Sequence, residues 1–247
     1  MIETQIEVQT DDGPMAAFVR RPDGEGPFPV VVFCHDGPGL RAEIYQAARE
    51  LADQGFYVVV PDLYHRYGDV IQFEMAQVMT PDTEQSKLFW HIIETIKPAD
   101  MADDCVAAVV SAQQDPAAAP GSAGVIGLCH TARTVIHALA DHGDVFGAGA
   151  MMHPANTAVE GPDSPHLLVE RIQRPLYAGI GEVDIIVPLE QQQPLIAELE
   201  KIDVAEVDIL PTANHGYPLP GSVSYDPPSA ERSWAKITAL FKRELAR

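Results

Sequence analysis

The chain has 247 residues, 46% of them hydrophobic, and its 36 acidic against 16 basic residues leave a net charge of −20. That length and apolar content suffice for a sizeable core and argue against a disordered chain. The acidic excess argues against nucleic acid or an anionic membrane as partner, and no apolar run approaches the length of a membrane span. The three cysteines, Cys34, Cys105 and Cys129, have no CxxC spacing, and Met1–Thr4 carries neither a basic nor an apolar leader pattern. Reduced thiols and a cytoplasmic location are the expectation.

In chain order, Ile2–Val8 alternates as a strand, Asp11-Asp12-Gly13 marks a turn, and Met15–Val19 returns as the second strand of a hairpin. Val30–Cys34 is an unbroken apolar run, as expected of a strand buried on both faces. Ala42–Gln54 has helical spacing and stops at Gly55, and Phe56–Val60 is a further buried strand. Residues 63–97 are irregular and aromatic-rich, and read either as a cap over a pocket or as a long crossover. A helix over Ala102–Gln113 follows. Strands at Gly124–Leu128, Val145–Met152, Pro175–Ile180 and Val204–Leu210 alternate with helical patterns at Ala132–Ala140, Pro188–Lys201 and Ser229–Leu245. Alternation of this kind predicts an α/β fold with a mainly parallel, doubly wound sheet preceded by an antiparallel hairpin. Without a repeat or composition break, residues 1–247 read as one domain.

Chemistry concentrates after the strands. Gly127-Leu128-Cys129-His130-Thr131 joins an apolar strand to a helical pattern, the setting in which a tight turn lifts a nucleophile above a sheet. A helix N-terminus there favours the thiolate, which is the reactive form of cysteine. A buried, inert thiol is the commonest fate of a free cysteine. Cys34 and Cys105, on a core strand and an apolar helix face, fit that fate better than Cys129 does. Asp184 follows a strand on the edge where ligand chemistry gathers in open parallel sheets. There it can orient an imidazole, although a turn-capping Asp is also common. Glu182 competes for the role, and Asp184 is favoured because Val187-Pro188 then opens the next helix cleanly. His215, in a loop after the last strand, fits the general base, with a solvated surface histidine as the alternative. The order nucleophile, acid, histidine is that of α/β-hydrolases.

Two backbone N–H groups are needed to hold a developing oxyanion. His130, following the nucleophile, would supply one and Gly37 the other, since Pro38 has no N–H. The Gly37–Gly39 pair lacks both the dinucleotide-binding and the P-loop spacing. His35, Asp36 and His65 show no metal-ligand spacing, so neither a metal nor a cofactor is expected. Tyr64, Trp90, His153 and Tyr217 are candidates for the pocket wall.

The motifs Val30–Leu40, Leu51–Phe56, Pro61–Tyr64, Gly127–Cys129, Asp184 with Val187-Pro188, and Asn214–Tyr217 resemble the dienelactone hydrolase family of α/β-hydrolases along nearly the whole chain. The resemblance implies an α/β-hydrolase fold and a Cys129–Asp184–His215 triad. It also implies that Asp36 takes the place of the family's acid that contacts the resting nucleophile. Two departures stand out. The family pattern after the cysteine is X-Gly-Gly, against His130-Thr131-Ala132 here, and no Arg follows His215 to hold a substrate carboxylate. The expectation is therefore a cysteine-dependent hydrolase of a small, neutral ester or lactone. The alternatives are a non-catalytic ligand-binding member of the fold, with the site altered at Thr131, and a thioesterase or cyclase on the same scaffold.

Overall fold

A computed structural model describes residues 1–245. Eight strands form one sheet in the order β1-β2-β4-β3-β5-β6-β7-β8. The hairpin pairs β1 (Ile2–Thr10) with β2 (Gly13–Arg21) around Asp11-Asp12, and β2 continues antiparallel onto β4 (Tyr57–Pro61). From there the sheet is parallel, through β3 (Val30–Phe33), β5 (Ala123–Leu128), β6 (Phe146–Met152), β7 (Leu176–Gly181) and β8 (Ala205–Leu210).

The unbroken apolar run of β3 is explained by its two neighbours. Val30, Val32 and Cys34 face one core layer, while Val31 and Phe33 face the other. The first layer is filled by α4 (Pro98–Ala112) and α5 (Ala132–Asp141), the second by α1 (Ala42–Asp53) and α7 (Pro227–Glu244). The remaining helix of the sheet, α6 (Leu189–Leu199), connects β7 to β8. Among the described residues, no helix is long and apolar enough to cross a membrane.

Residues 63–97 run from β4 to α4 and contain more order than their sequence suggests. A short α2 (Met75–Val78) precedes α3 (Glu84–Thr95), whose N-cap Thr83 accepts a hydrogen bond from the Ser86 N–H at 3.0 Å. The signal was the Thr83 cap. It was obscured because Leu88 and Trp90 stay partly exposed while Phe89 and Ile92 are buried, so no clean apolar stripe appears. A 3₁₀ segment, Pro165–Arg171, also escapes sequence reading because it is too short to show a period.

Candidate active site

The residues proposed for the chemistry lie beyond the C-terminal ends of parallel strands, where the loops open away from the core, whereas Trp90 lies in α3. Asp36 and Gly37 follow β3, Cys129 follows β5, Asp184 follows β7 and His215 follows β8. The sequence thus brings together in space what it separates by up to 179 positions along the chain (215 − 36).

Cys129 starts a 3₁₀ turn, Cys129–Thr131, between β5 and α5, and its φ is +55°. A left-handed conformation is uncommon for a residue with a side chain and persists where the surroundings over-determine it. Gly127 makes the turn possible, because a Cβ there would lie 2.4 Å from the Thr131 carbonyl oxygen and 2.8 Å from Val135 Cγ2. Thr131 is no obstacle to the turn. Its hydroxyl accepts from the Leu128 N–H and donates to the Leu128 carbonyl, both at 2.9 Å, and so closes the elbow on itself.

His215 bridges the other two members of the triad. Its Nδ1 lies 2.8 Å from Asp184 Oδ2 and its Nε2 lies 3.1 Å from Cys129 Sγ. The second Asp184 oxygen accepts from the N–H groups of Ile186 at 2.9 Å and Val187 at 2.8 Å, so the carboxylate is buried and fully engaged. Glu182, the competing acid, is exposed. Asn214 ties the two loops together, its Oδ1 accepting from the N–H groups of His215 at 2.7 Å and Ile185 at 3.0 Å. Sequence reading missed this clamp, because a loop Asn before a His carries no periodic signal.

Burial alone would lower the His215 pKa. The adjacent Cys129 charge and the hydrogen bonds to Asp184 and Cys129 outweigh it and push the value up to about 10. The charged form of His215 is thus favoured where Cys129 is a thiolate. His153, at the end of β6, places Nδ1 3.4 Å from His215 Nε2. Burial, reinforced by the His215 charge, presses its pKa well down and keeps the ring neutral.

Asp36 departs from its expected role. Its carboxylate takes both ends of the Arg41 guanidinium, with Arg41 Nη2 at 2.9 Å from Oδ2, and makes no hydrogen bond to Cys129. The neighbouring cation competes more strongly than a thiol for a short carboxylate. Arg41, which also lies 3.3 Å from Glu43, is a cation at the site that sequence reading overlooked.

A cavity of about 670 Å³ opens over Cys129 and His215. Gly37, His130, Trp90 and His153 line it. Its walls are largely apolar, with Met75, Met79, Phe89 and Ile93 contributed by residues 63–97 and Ile185, Ile186 and Val223 by the loops after β7 and β8. Residues 63–97 thereby contribute both the crossover and one wall. Two expected wall residues lie elsewhere. Tyr64 and Tyr217 are fully buried, the first with its hydroxyl donating to the Gly37 carbonyl at 3.0 Å, the second with its hydroxyl 2.8 Å from Ser233 Oγ. A tyrosine hydroxyl that finds a buried partner draws the ring inward rather than toward a pocket. Arg133 is also turned away, donating to the carbonyls of Ile93 and Ile96. Among the described residues the His, Cys, Asp and Glu side chains grouped closely enough to share a metal ion are Cys129, His153 and His215, with potential ligand atoms all within 4.8 Å of one another. His35 and Asp36 do not join them, and His65 instead faces Asp104 at 3.3 Å.

The mixed sheet, the left-handed turn at Cys129 and the nucleophile–acid–histidine order together define an α/β-hydrolase. The sequence profile of the dienelactone hydrolase family matches residues 15–245, and the chain belongs to that family. A Synechocystis protein provisionally named a carboxymethylenebutenolidase is 23% identical over 98% of this chain and 97% of its own. A Klebsiella pneumoniae structure described provisionally as a dienelactone hydrolase superposes with a TM-score of 0.84 at 21% identity, covering 98% of each chain. A dienelactone hydrolase-like promiscuous phosphotriesterase from metagenomic libraries gives a TM-score of 0.76 at 23% identity, covering 99% of each chain. The protein is a hydrolase acting on ester or lactone bonds.

Proposed function

We propose that the chain hydrolyses a small neutral ester or lactone through an acyl-cysteine intermediate on Cys129. The observation that carries this reading is the single imidazole of His215 held between Asp184 at 2.8 Å and Cys129 Sγ at 3.1 Å. Cys129 attacks the carbonyl carbon as thiolate, and the alkoxide leaves with the His215 proton. His215, then neutral, takes a proton from water, which attacks the acyl-cysteine and regenerates the thiolate. Asp184 keeps the ring oriented and stabilises its charged form. Gly37 and His130 both line the cavity, and their backbone N–H groups are the donors assigned to the oxyanion. No cofactor enters these steps. The free state of all three cysteines fits a reducing compartment and hence the cytoplasm.

The test is Cys129→Ala with aryl esters, lactones and thioesters of matched size. Loss of turnover in a folded variant, together with an acyl adduct on Cys129 in the mass of wild-type protein quenched during turnover, is the expected result. Near-normal turnover by Cys129→Ala overturns the nucleophile. A clear preference for thioesters over oxygen esters moves the reading to a thioesterase.

A further inference from the structure

The triad leaves one side chain of the cleft without a task. His153 is 1% exposed, adopts a left-handed φ of +38°, and is held there by its N–H donating to the Gly179 carbonyl at 2.9 Å. A non-glycine residue in that region stores strain, which is retained where the surrounding structure imposes it. The result of that backbone is that His153 Nδ1 points at His215 Nε2, beside Cys129 Sγ.

We propose that Cys129, His153 and His215 form a site for a soft divalent cation, zinc in preference, which caps the nucleophile and reversibly switches the hydrolase off. One thiolate and two imidazoles are a zinc donor set, and three protein ligands with an open fourth position suit an exchangeable ion. Tetrahedral zinc, with bonds of about 2.0–2.1 Å to nitrogen and about 2.3 Å to sulfur, sets its nitrogens about 3.3 Å apart and nitrogen to sulfur about 3.6 Å apart. The two imidazole nitrogens are already 3.4 Å apart, the sulfur lies 3.1 Å from His215, and all three ligand atoms lie within 4.8 Å of one another, so a rotation of Cys129 has to open the His215 separation by about half an ångström and bring the sulfur to about 3.6 Å from His153. The fourth position faces the cavity, which has room for water.

Two guanidinium groups act on the site: Arg41, which both Asp36 and Glu43 engage, and Arg133, which donates to the Ile93 and Ile96 carbonyls and lies close enough to interact with a Cys129 charge. The chain's −20 supplies a long-range attraction for cations. The far nitrogen of His153, Nε2, has no hydrogen-bond partner among the described residues. Zinc ligands in permanent sites have that nitrogen anchored by a second group, so this site suits a reversible ion rather than a resident one. Binding forms bonds from the cation to Cys129 Sγ, His153 Nδ1 and His215 Nε2, and the Nε2 proton of His215 leaves to solvent. No electron is transferred. The sulfur lone pair used for attack is then tied up in the metal bond.

Cobalt(II) is the probe, because its thiolate complexes absorb in the near ultraviolet and its tetrahedral complexes absorb strongly in the visible. The full wild-type chain titrated with cobalt, without substrate, is expected to develop both absorptions at one ion per chain. Zinc added afterwards should abolish them, and hydrolysis should fall with zinc and return with a chelator. Cys129→Ala should remove the charge-transfer band, whereas Cys34→Ser should retain it. His153→Ala should weaken cobalt binding at least tenfold, and His153→Gln provides a second variant if the alanine form misfolds. Absence of a cobalt–thiolate band in the wild-type chain overturns the proposal, as does equal affinity in a folded His153 variant. The band is read without turnover, so it stands or falls independently of the acyl-cysteine reading.

Discussion

The His130 ring stacks on that of Tyr64, with centroids 5.8 Å apart, and its Nε2 lies 3.2 Å from the Tyr64 hydroxyl. The same hydroxyl donates its one proton to the Gly37 carbonyl, so His130 Nε2 must carry the proton that reaches the Tyr64 oxygen. Burial holds His130 neutral, which is consistent with that single tautomer. Tyr64 therefore joins from behind the two loops whose N–H groups are assigned to the oxyanion.

Removing that join should loosen oxyanion geometry without touching the substrate. Tyr64→Phe is expected to lower kcat about tenfold with little change in KM, less than the loss on removing an oxyanion donor itself. Steady-state kinetics on one neutral aryl ester measure it, and an unchanged kcat would remove Tyr64 from the machinery.

His215 offers a direct titration. Its pKa of about 10 arises because the Cys129 charge and the Asp184 and Cys129 hydrogen bonds overcome burial, so taking away either anion must lower it. Asp184→Asn and Cys129→Ala should each move the His215 ring resonance to titrate nearer its ordinary value, followed by NMR. Asp184→Asn should also reduce kcat/KM by roughly 10²–10⁴. A His215 that titrates identically in wild type and both variants would break the triad assignment.

The sequence carried the scaffold and the triad well, for identifiable reasons. β3 and β5 are buried on both faces, so their apolar runs are unbroken, and the strand-to-helix passage at Gly127–Ala132 shows a change of period. Asp184 and His215 were legible because the C-terminal strand edge limits where a triad can assemble. What stayed hidden depends on side-chain direction. Nothing local distinguishes an aromatic residue that lines the wall, as Trp90 does, from one that turns inward, as Tyr64 and Tyr217 do. Likewise the pairing of Asp36 with Arg41, five residues on, spans a loop with no regular period.

Thr131 was a departure from the family pattern, and its geometry makes it a structural part of the elbow. Thr131→Val keeps the shape but leaves the buried Leu128 N–H without its acceptor, at a cost of about 1–3 kcal/mol. Thr131→Ser retains the hydroxyl and should lose less. Denaturant unfolding of the two variants decides it, with equal stability of Val and Ser forms counting against the hydroxyl's role.

Specificity turns on Arg41. The loop after His215 carries no cation, and the guanidinium that does face the cavity is taken by Asp36 and lies against Glu43. A substrate carboxylate would have to give up water without gaining a free charge-assisted partner. Neutral short-chain aryl esters should therefore be hydrolysed with kcat/KM at least equal to that of matched carboxylate-bearing substrates at one ionic strength. Asp36→Asn releases one side of the guanidinium, and a charge-assisted hydrogen bond of about 1.5 kcal/mol or more then becomes available to an anion. The anionic-to-neutral ratio of kcat/KM should rise about tenfold in that variant. If wild type already prefers the anionic substrate strongly, Arg41 is serving it despite Asp36. If the ratio fails to rise in a folded Asp36→Asn protein, the pairing with Asp36 is not what sets the preference.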